Sequence, residues 1–206
     1  MRHRLWLAVV ALALGGTGVA SAQTLGTPIF MGPYRAFKQS ELGAYISDPG
    51  DGISIALEGE YRRAQRKGQF DWGLQFGYED PSGNGGNGVF ALGVDVRAGI
   101  ARHSSDFPLD ASITAGFGAQ FSDGNNGFLV PLGVTLGRQV LLENSSVSFV
   151  PWVHPVIAPA FGDAFDSVQF GLGLGVDINL SRTWDARLSG SLGDIDGFGV
   201  GLAWHR

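Results

Sequence analysis

His103 stands in the run Arg102-His103-Ser104-Ser105-Asp106, and His154 in Val150-Pro151-Trp152-Val153-His154-Pro155. A histidine beside serines and an acid is the raw material of nucleophilic hydrolysis, with imidazole as base to a hydroxyl. Neighbours in one short segment do not converge as a triad does, so "RHSSD" reads as a solvated turn. His205, next to the last residue, carries no catalytic argument. In "VPWVHPVIAP", Trp152 and His154 share parity, which places both on one strand face, as a ligand contact or as a histidine bonded to a neighbouring acid. Pro151, Pro155 and Pro159 also share parity, so their missing N–H groups fall on a single ladder and weaken it. Asp194 with Asp196, and Asp48 with Asp51, are the acid pairs closest to a calcium motif, and turn chemistry explains them. No catalytic, cofactor or metal site is expected.

These side chains need elements to hold them, and the elements are strands. In Phe170–Leu180, "FGLGLGVDINL", large apolar residues alternate with Gly171, Gly173, Gly175, Asp177 and Asn179. A period of two is the mark of a strand with one apolar and one small or polar face. The same pattern recurs over Lys38–Ser47, Ile53–Ala64, Gln69–Tyr78, Gly88–Arg102, Leu109–Phe121, Gly127–Val140, Ser146–Ile157, Asp166–Leu180, Thr183–Leu192 and Gly197–His205. Turn-rich stretches such as "DPGDG", "EDPSGNGGN", "SDGNN", "APAFGDAF" and "GDID" separate them. About ten strands follow, or eight if the first pair stands apart.

Upstream, "MRHRLWLAVVALALGGTGVASA" has a basic start, a short apolar run and a small-residue end, the pattern of a secretory signal cut before Gln23. The apolar run is well short of the ~20 residues that span a bilayer as a helix. Removing residues 1–22 leaves 12 basic against 19 acidic residues, a net charge of −7, which argues against nucleic acid. There is no cysteine, so no disulfide supports the fold. Residues 23–37 lack any period and read as a lead-in, and residues 38–206 as one domain.

Alternation alone does not say which face is outside. The polar faces carry Gly, Ser, Thr and Gln, and the chain has only two lysines, Lys38 and Lys67. Glycine suits a lumen too narrow for side chains. Glu58, Glu60 and Arg62 share one face, Asp95 and Arg97 another, and Asp177, Asp185 and Arg187 the next two. Pointing inward, they form a charge network that fills the lumen. Trp72, Trp184, Trp204, Tyr78 and Phe121 lie near strand ends, as interfacial aromatics do. The apolar face, Leu172 and Leu174 included, is therefore expected to face lipid.

The final "GFGVGLAWHR" resembles the C-terminal assembly signal of bacterial outer-membrane barrels, at positions Gly199, Leu202 and Trp204. With the strand period, the chain resembles the small outer-membrane β-barrels of the OmpA/OmpX-type superfamily. The resemblance implies an all-β, closed, antiparallel up-and-down transmembrane barrel in the outer membrane of a Gram-negative-type cell. It implies outer-membrane lipid, lipopolysaccharide and the barrel assembly machinery as partners, and a periplasmic C-terminus. It does not imply an activity. The leading expectation is a non-enzymatic structural or narrow-pore protein. The alternatives are a barrel enzyme acting on lipid and a soluble exported barrel binding an apolar ligand.

Overall fold

The computed structural model describes residues 30–34, 36–48, 53–65, 70–81, 88–123, 125–163, 166–195 and 197–206. The expected signal, residues 23–29 and most of the "DPGDG" and "GNGGN" turns lie outside them, as do Asp51 and Asp196. The strands are β1 Ser40–Asp48, β2 Ile53–Ala64, β3 Phe70–Pro81, β4 Val89–Ala101, β5 Asp110–Ser122, β6 Asn125–Leu129, β7 Leu132–Gly137, β8 Val140–Leu141, β9 Ser148–Gly162, β10 Asp166–Asn179, β11 Trp184–Gly193 and β12 Gly197–His205. Each pairs antiparallel with its neighbours, and β1 pairs with both β2 and β12, so the sheet closes on itself. The segments β6, β7 and β8 all pair with β9 and together make one barrel strand. The fold is a closed ten-stranded antiparallel barrel, and closure leaves no strand edge unpaired.

Two boundaries differ from the sequence pattern. The strand expected to run unbroken over 127–140 is interrupted at Val130–Pro131 and at Arg138–Gln139. Pro131 has no N–H to give a ladder, and only its carbonyl is used, accepting from Gly116 N at 2.9 Å. Conversely, "APAFG", expected in a surface turn, continues β9 to Gly162, where φ is +118°. Pro159 is tolerated there because the β10 ladder continues past it, through Val168, and its carbonyl accepts from Val130 N at 2.9 Å.

The two faces separate by chemistry. Phe76, Leu92, Leu172 and Leu202 look outward, with Phe76 64% exposed, whereas Asp71, Gln75 and Glu79 on the same strand as Phe76 are buried inside. Among the described residues, outward positions within the strands carry no Asp, Glu, Lys or Arg; Asp48, Arg63 and Asp80 sit at strand ends. Aromatics gather at both rims. Trp184 pairs with Trp204, and Tyr61 meets Trp72 at 5.9 Å, near the mouth where β1 begins and the chain ends. At the opposite mouth, Tyr78 meets Phe90 at 5.2 Å and Phe128 stacks on Phe161 at 5.5 Å. An apolar belt of this kind, if left in water, would be far larger than soluble surfaces carry.

Candidate functional site

The lumen holds what the exterior lacks. Parity sends Glu41 and Tyr45 of β1, Glu58, Glu60 and Arg62 of β2, Asp71, Gln75 and Glu79 of β3, and Asp95 and Arg97 of β4 inward. Asp177 of β10, Asp185 and Arg187 of β11 and His205 of β12 face them across the barrel. Arg62 lies at the centre. Its Nη2 donates to Asp71 Oδ1 at 2.6 Å and Asp95 Oδ1 at 2.7 Å, and its Nη1 to Asp95 Oδ2 at 2.9 Å and Glu60 Oε1 at 2.8 Å. Gln75 Nε2 donates to Asp95, and Arg97 Nε to Asp71 Oδ2 at 3.1 Å. Charge-assisted bonds of this kind compensate for the loss of water that burial imposes. Across the lumen, Arg187 Nη2 donates to Glu41 Oε2 at 2.6 Å, and Tyr45 OH to Glu60 Oε2 at 2.7 Å. Asp177 accepts from Trp152 Nε1 at 3.1 Å, and Glu58 from Ser47 Oγ at 3.4 Å.

A second component comes from outside the strand pattern. Residues 30–34, 36 and 37, with no period of their own, enter the lumen before the chain turns into β1. Their polar backbone needs partners there, and inward side chains supply them. Arg97 Nη1 donates to Gly32 O at 2.7 Å, Thr135 Oγ1 to Met31 O at 2.6 Å, and Ser112 Oγ to Pro33 O at 3.1 Å. His154, fully buried, accepts from Met31 N at its Nδ1 (3.1 Å). Its proton then sits on Nε2, facing Thr114 Oγ1 at 2.8 Å. The histidine thus binds the chain's own lead-in and a threonine rather than an acid, and it is Trp152 that reaches one, Asp177.

The strand glycines give this segment room. A Cβ at Gly173 would collide with the Phe30 ring, and one at Gly32 would lie 2.7 Å from Asp177 Oδ2 and 2.9 Å from Trp152 Cδ1. Phe30 sits in a small apolar cluster with Leu129, Trp152, Val156, Ala158, Ala160 and Ile195. Ile195 belongs to "GDID", read from sequence as a surface turn, yet it is 1% exposed and closes over Phe30. Phe37, at the other end, packs 6.3 Å from the His205 ring. The space left between plug and charge network includes a cavity of about 70 Å³ lined by Met31, Tyr45, Glu58, Arg187 and Ser189 and a larger recess of about 310 Å³ lined by Pro33, Tyr34, Asp71, Arg97 and Ser112.

The seam of prolines faces the broken strand. Between β9 and β6–β7, pairing stops at Leu129–Ala160, resumes at Leu132–Ile157, and lapses again between Gly133–Val156 and Leu136–Val153. Met31 bridges this gap from inside, bonded to His154 of β9 and Thr135 of β7.

At the mouth holding the chain end, Glu41, Asp185 and His205 bring one potential ligand atom each within 4.8 Å of the others. His205 Nε2 lies 2.9 Å from Asp185 Oδ2 and 3.2 Å from Glu41 Oε2. His205, which carries no catalytic argument in the sequence as a residue next to the last, is opposite in parity to the outward Trp204 and so points into the lumen. On the rim outside, His103 Nδ1 contacts Asp110 Oδ1 at 3.1 Å. Ser104 Oγ accepts from Asp106 N and Phe107 N, and Ser105 Oγ donates to Asp106, so both hydroxyls serve their own turn. Asp194 likewise accepts from Phe170 N at 3.0 Å. Gly199, Leu202 and Trp204 lie on β12, which pairs with β1; Leu202 and Trp204 face outward.

No protein-family model matches the chain, and no curated protein matches it. Among solved structures it is similar to the β domain of the Bordetella autotransporter BrkA, with a TM-score of 0.52 and 16% identity over 82% of this chain and 99% of that one. It is also similar to the KdgM porin (TM-score 0.43, 10% identity, 81% of this chain and 99% of that one). The N-terminal β-barrel domain of Pseudomonas aeruginosa OprF follows (TM-score 0.39, 9% identity, 82% and 97%). At these identities the likeness is one of fold alone, a closed antiparallel β-barrel, and it rests on the BrkA β domain.

Proposed function

We propose that this chain is an integral outer-membrane barrel protein, non-enzymatic and structural, whose lumen is closed by its own residues 30–37. The observation that carries this reading is the pairing of an uncharged apolar exterior with a filled polar interior. The first needs hydrocarbon around it, and the second, with Met31, Gly32 and Pro33 bonded to side chains of four strands, obstructs the path of a solute. A soluble carrier of an apolar ligand is disfavoured, because the interior it would use holds eight buried acids and three arginines. Hydrolysis at the rim is disfavoured, since Ser104 and Ser105 hydrogen-bond within their own turn rather than to His103. In this orientation the chain end is periplasmic, and Phe198, Val200, Leu202 and Trp204 present the assembly signal to the insertion machinery.

Two measurements test the reading. Extraction should require detergent, and the unheated protein should migrate differently from the boiled one on an SDS gel. In a planar bilayer the native chain should show little or no steady conductance, whereas removal of residues 30–37 should open a pore. Free solubility in buffer would overturn the membrane assignment, and a steady open channel in the native chain would overturn the closed lumen.

A further inference from the structure

We propose that Glu41, Asp185 and His205 form a binding site for one divalent transition-metal ion of the zinc class, a staple across the line where the barrel closes. The three residues come from β1, β11 and β12, consecutive strands that include the β12–β1 closure. Glu41 is fully buried, Asp185 is 1% exposed and His205 4%. Yet Glu41 Oε1, Asp185 Oδ2 and His205 Nε2 make no hydrogen bond of acceptable geometry. The imidazole nitrogen is close to both carboxylates without directing an N–H at either. Buried polar atoms left this way call for a partner.

Charge asks for the same partner. The lumen buries Glu41, Glu58, Glu60, Asp71, Glu79, Asp95, Asp177 and Asp185, against Arg62, Arg97 and the partly buried Arg187. An excess of buried anions is costly unless cations accompany them. One imidazole nitrogen and two carboxylate oxygens suit zinc, and a tetrahedral site spaces its ligand atoms roughly 3.3 Å apart. The observed 2.9 Å separation of His205 Nε2 from Asp185 Oδ2 is already close to that, and a carboxylate oxygen of Glu41 lies within 4.8 Å of both. The outer shell is present too. Asn179 Nδ2 donates to Asp185 Oδ1 at 2.8 Å, leaving Oδ2 for the ion, and Arg187 holds Glu41 Oε2, leaving Oε1. Entry is through an open recess at the same mouth, lined by Ser148, Asn179, Ser181, Arg182, Asp185 and His205, and water fills the fourth position.

The test uses the full untagged chain folded in detergent. After dialysis against micromolar zinc, the native protein should retain about one ion per chain, and His205→Ala and Asp185→Asn should retain none. His103→Ala, which removes the rim histidine, should leave the stoichiometry unchanged. X-ray absorption of the zinc-loaded native chain requires no variant, and should show one imidazole and oxygen neighbours only. Retention of zinc by His205→Ala, a first shell without imidazole, or no retention by the native chain each overturns the proposal. The last result would mean that His205 is simply a histidinium paired with two carboxylates.

Discussion

The Arg62 guanidinium contacts three carboxylates in a lumen where acids outnumber bases, so removing it takes the arginine from Asp95 and leaves Asp71 with Arg97 alone and Glu60 with Arg187 alone. Breaking a buried pair in this way costs about 3–5 kcal/mol. Arg62→Met should therefore lower stability by that order, read as a shift in the urea midpoint of the folded gel band in lipid vesicles. Arg62→Lys should recover only part of the loss, because an ammonium does not reproduce the fork that reaches Asp71 and Asp95 together. Alternation was enough to send Glu58, Glu60, Arg62, Asp95, Arg97, Asp177, Asp185 and Arg187 to one side of the sheet. It did not say who would pair with whom. Arg187 reaches Glu41, 146 positions away, because ring closure brings β11 beside β12 and β12 beside β1. Nor did His205 carry any signal beyond its parity. Its neighbours depend on where strands far apart in the chain end.

The lead-in is the element that the sequence concealed. Periodicity finds strands, and residues 30–37 have none. Their place is set by side chains on four other strands offering bonds to Met31, Gly32 and Pro33. The glycines of β10 were legible as a sign of a tight lumen, but what they make room for was not. Two substitutions separate the plug from the barrel. Gly32→Val, forced against Asp177 and Trp152, should expel the segment while the strands stay paired, read as new protease cleavage near residue 32 with unchanged heat-dependent mobility. His154→Ala removes the acceptor for Met31 N–H and leaves that buried donor unpaired, at a cost of about 1–3 kcal/mol. Each 1.4 kcal/mol is a tenfold change in the ratio of seated to unseated plug. Bilayer recordings should then show brief openings that are absent from the native chain. A quiet trace indistinguishable from the native one would mean that His154 does not hold the plug.

For the whole molecule, orientation is the controlling property, and Leu172 reports on it. It lies midway along β10 on the apolar face, with Gly171 and Gly173 looking inward on either side. Leu172→Arg would put a charge near the centre of the hydrocarbon, a cost of about 2–4 kcal/mol in a membrane barrel. Folding yield into vesicles should fall by that amount, whereas an arginine at the rim, as at Leu180→Arg beside the β10–β11 turn, should be nearly silent. Equal effects at the two positions would contradict the bilayer placement. Strand number and closure were readable because turns and alternation recur ten times. The exceptions, at Pro131 and past Pro159, follow from which backbone groups a neighbouring strand happened to need.

Gln39 N and Ser40 N both reach the carbonyl of Arg206, at 3.0 and 3.2 Å, directly after the segment that runs inside. The two ends of the sheet thus tie a loop around something that belongs to the same thread. Once that knot of backbone bonds is drawn, residues 30–37 have no sideways exit and can leave only by sliding along the axis. The plug therefore enters by one of two routes, lying within the curl of sheet before the two ends meet or threading the same axis afterwards. A bulky tag fused just upstream would hinder either one, and would do so in the kinetics of assembly rather than in the strength of the finished wall.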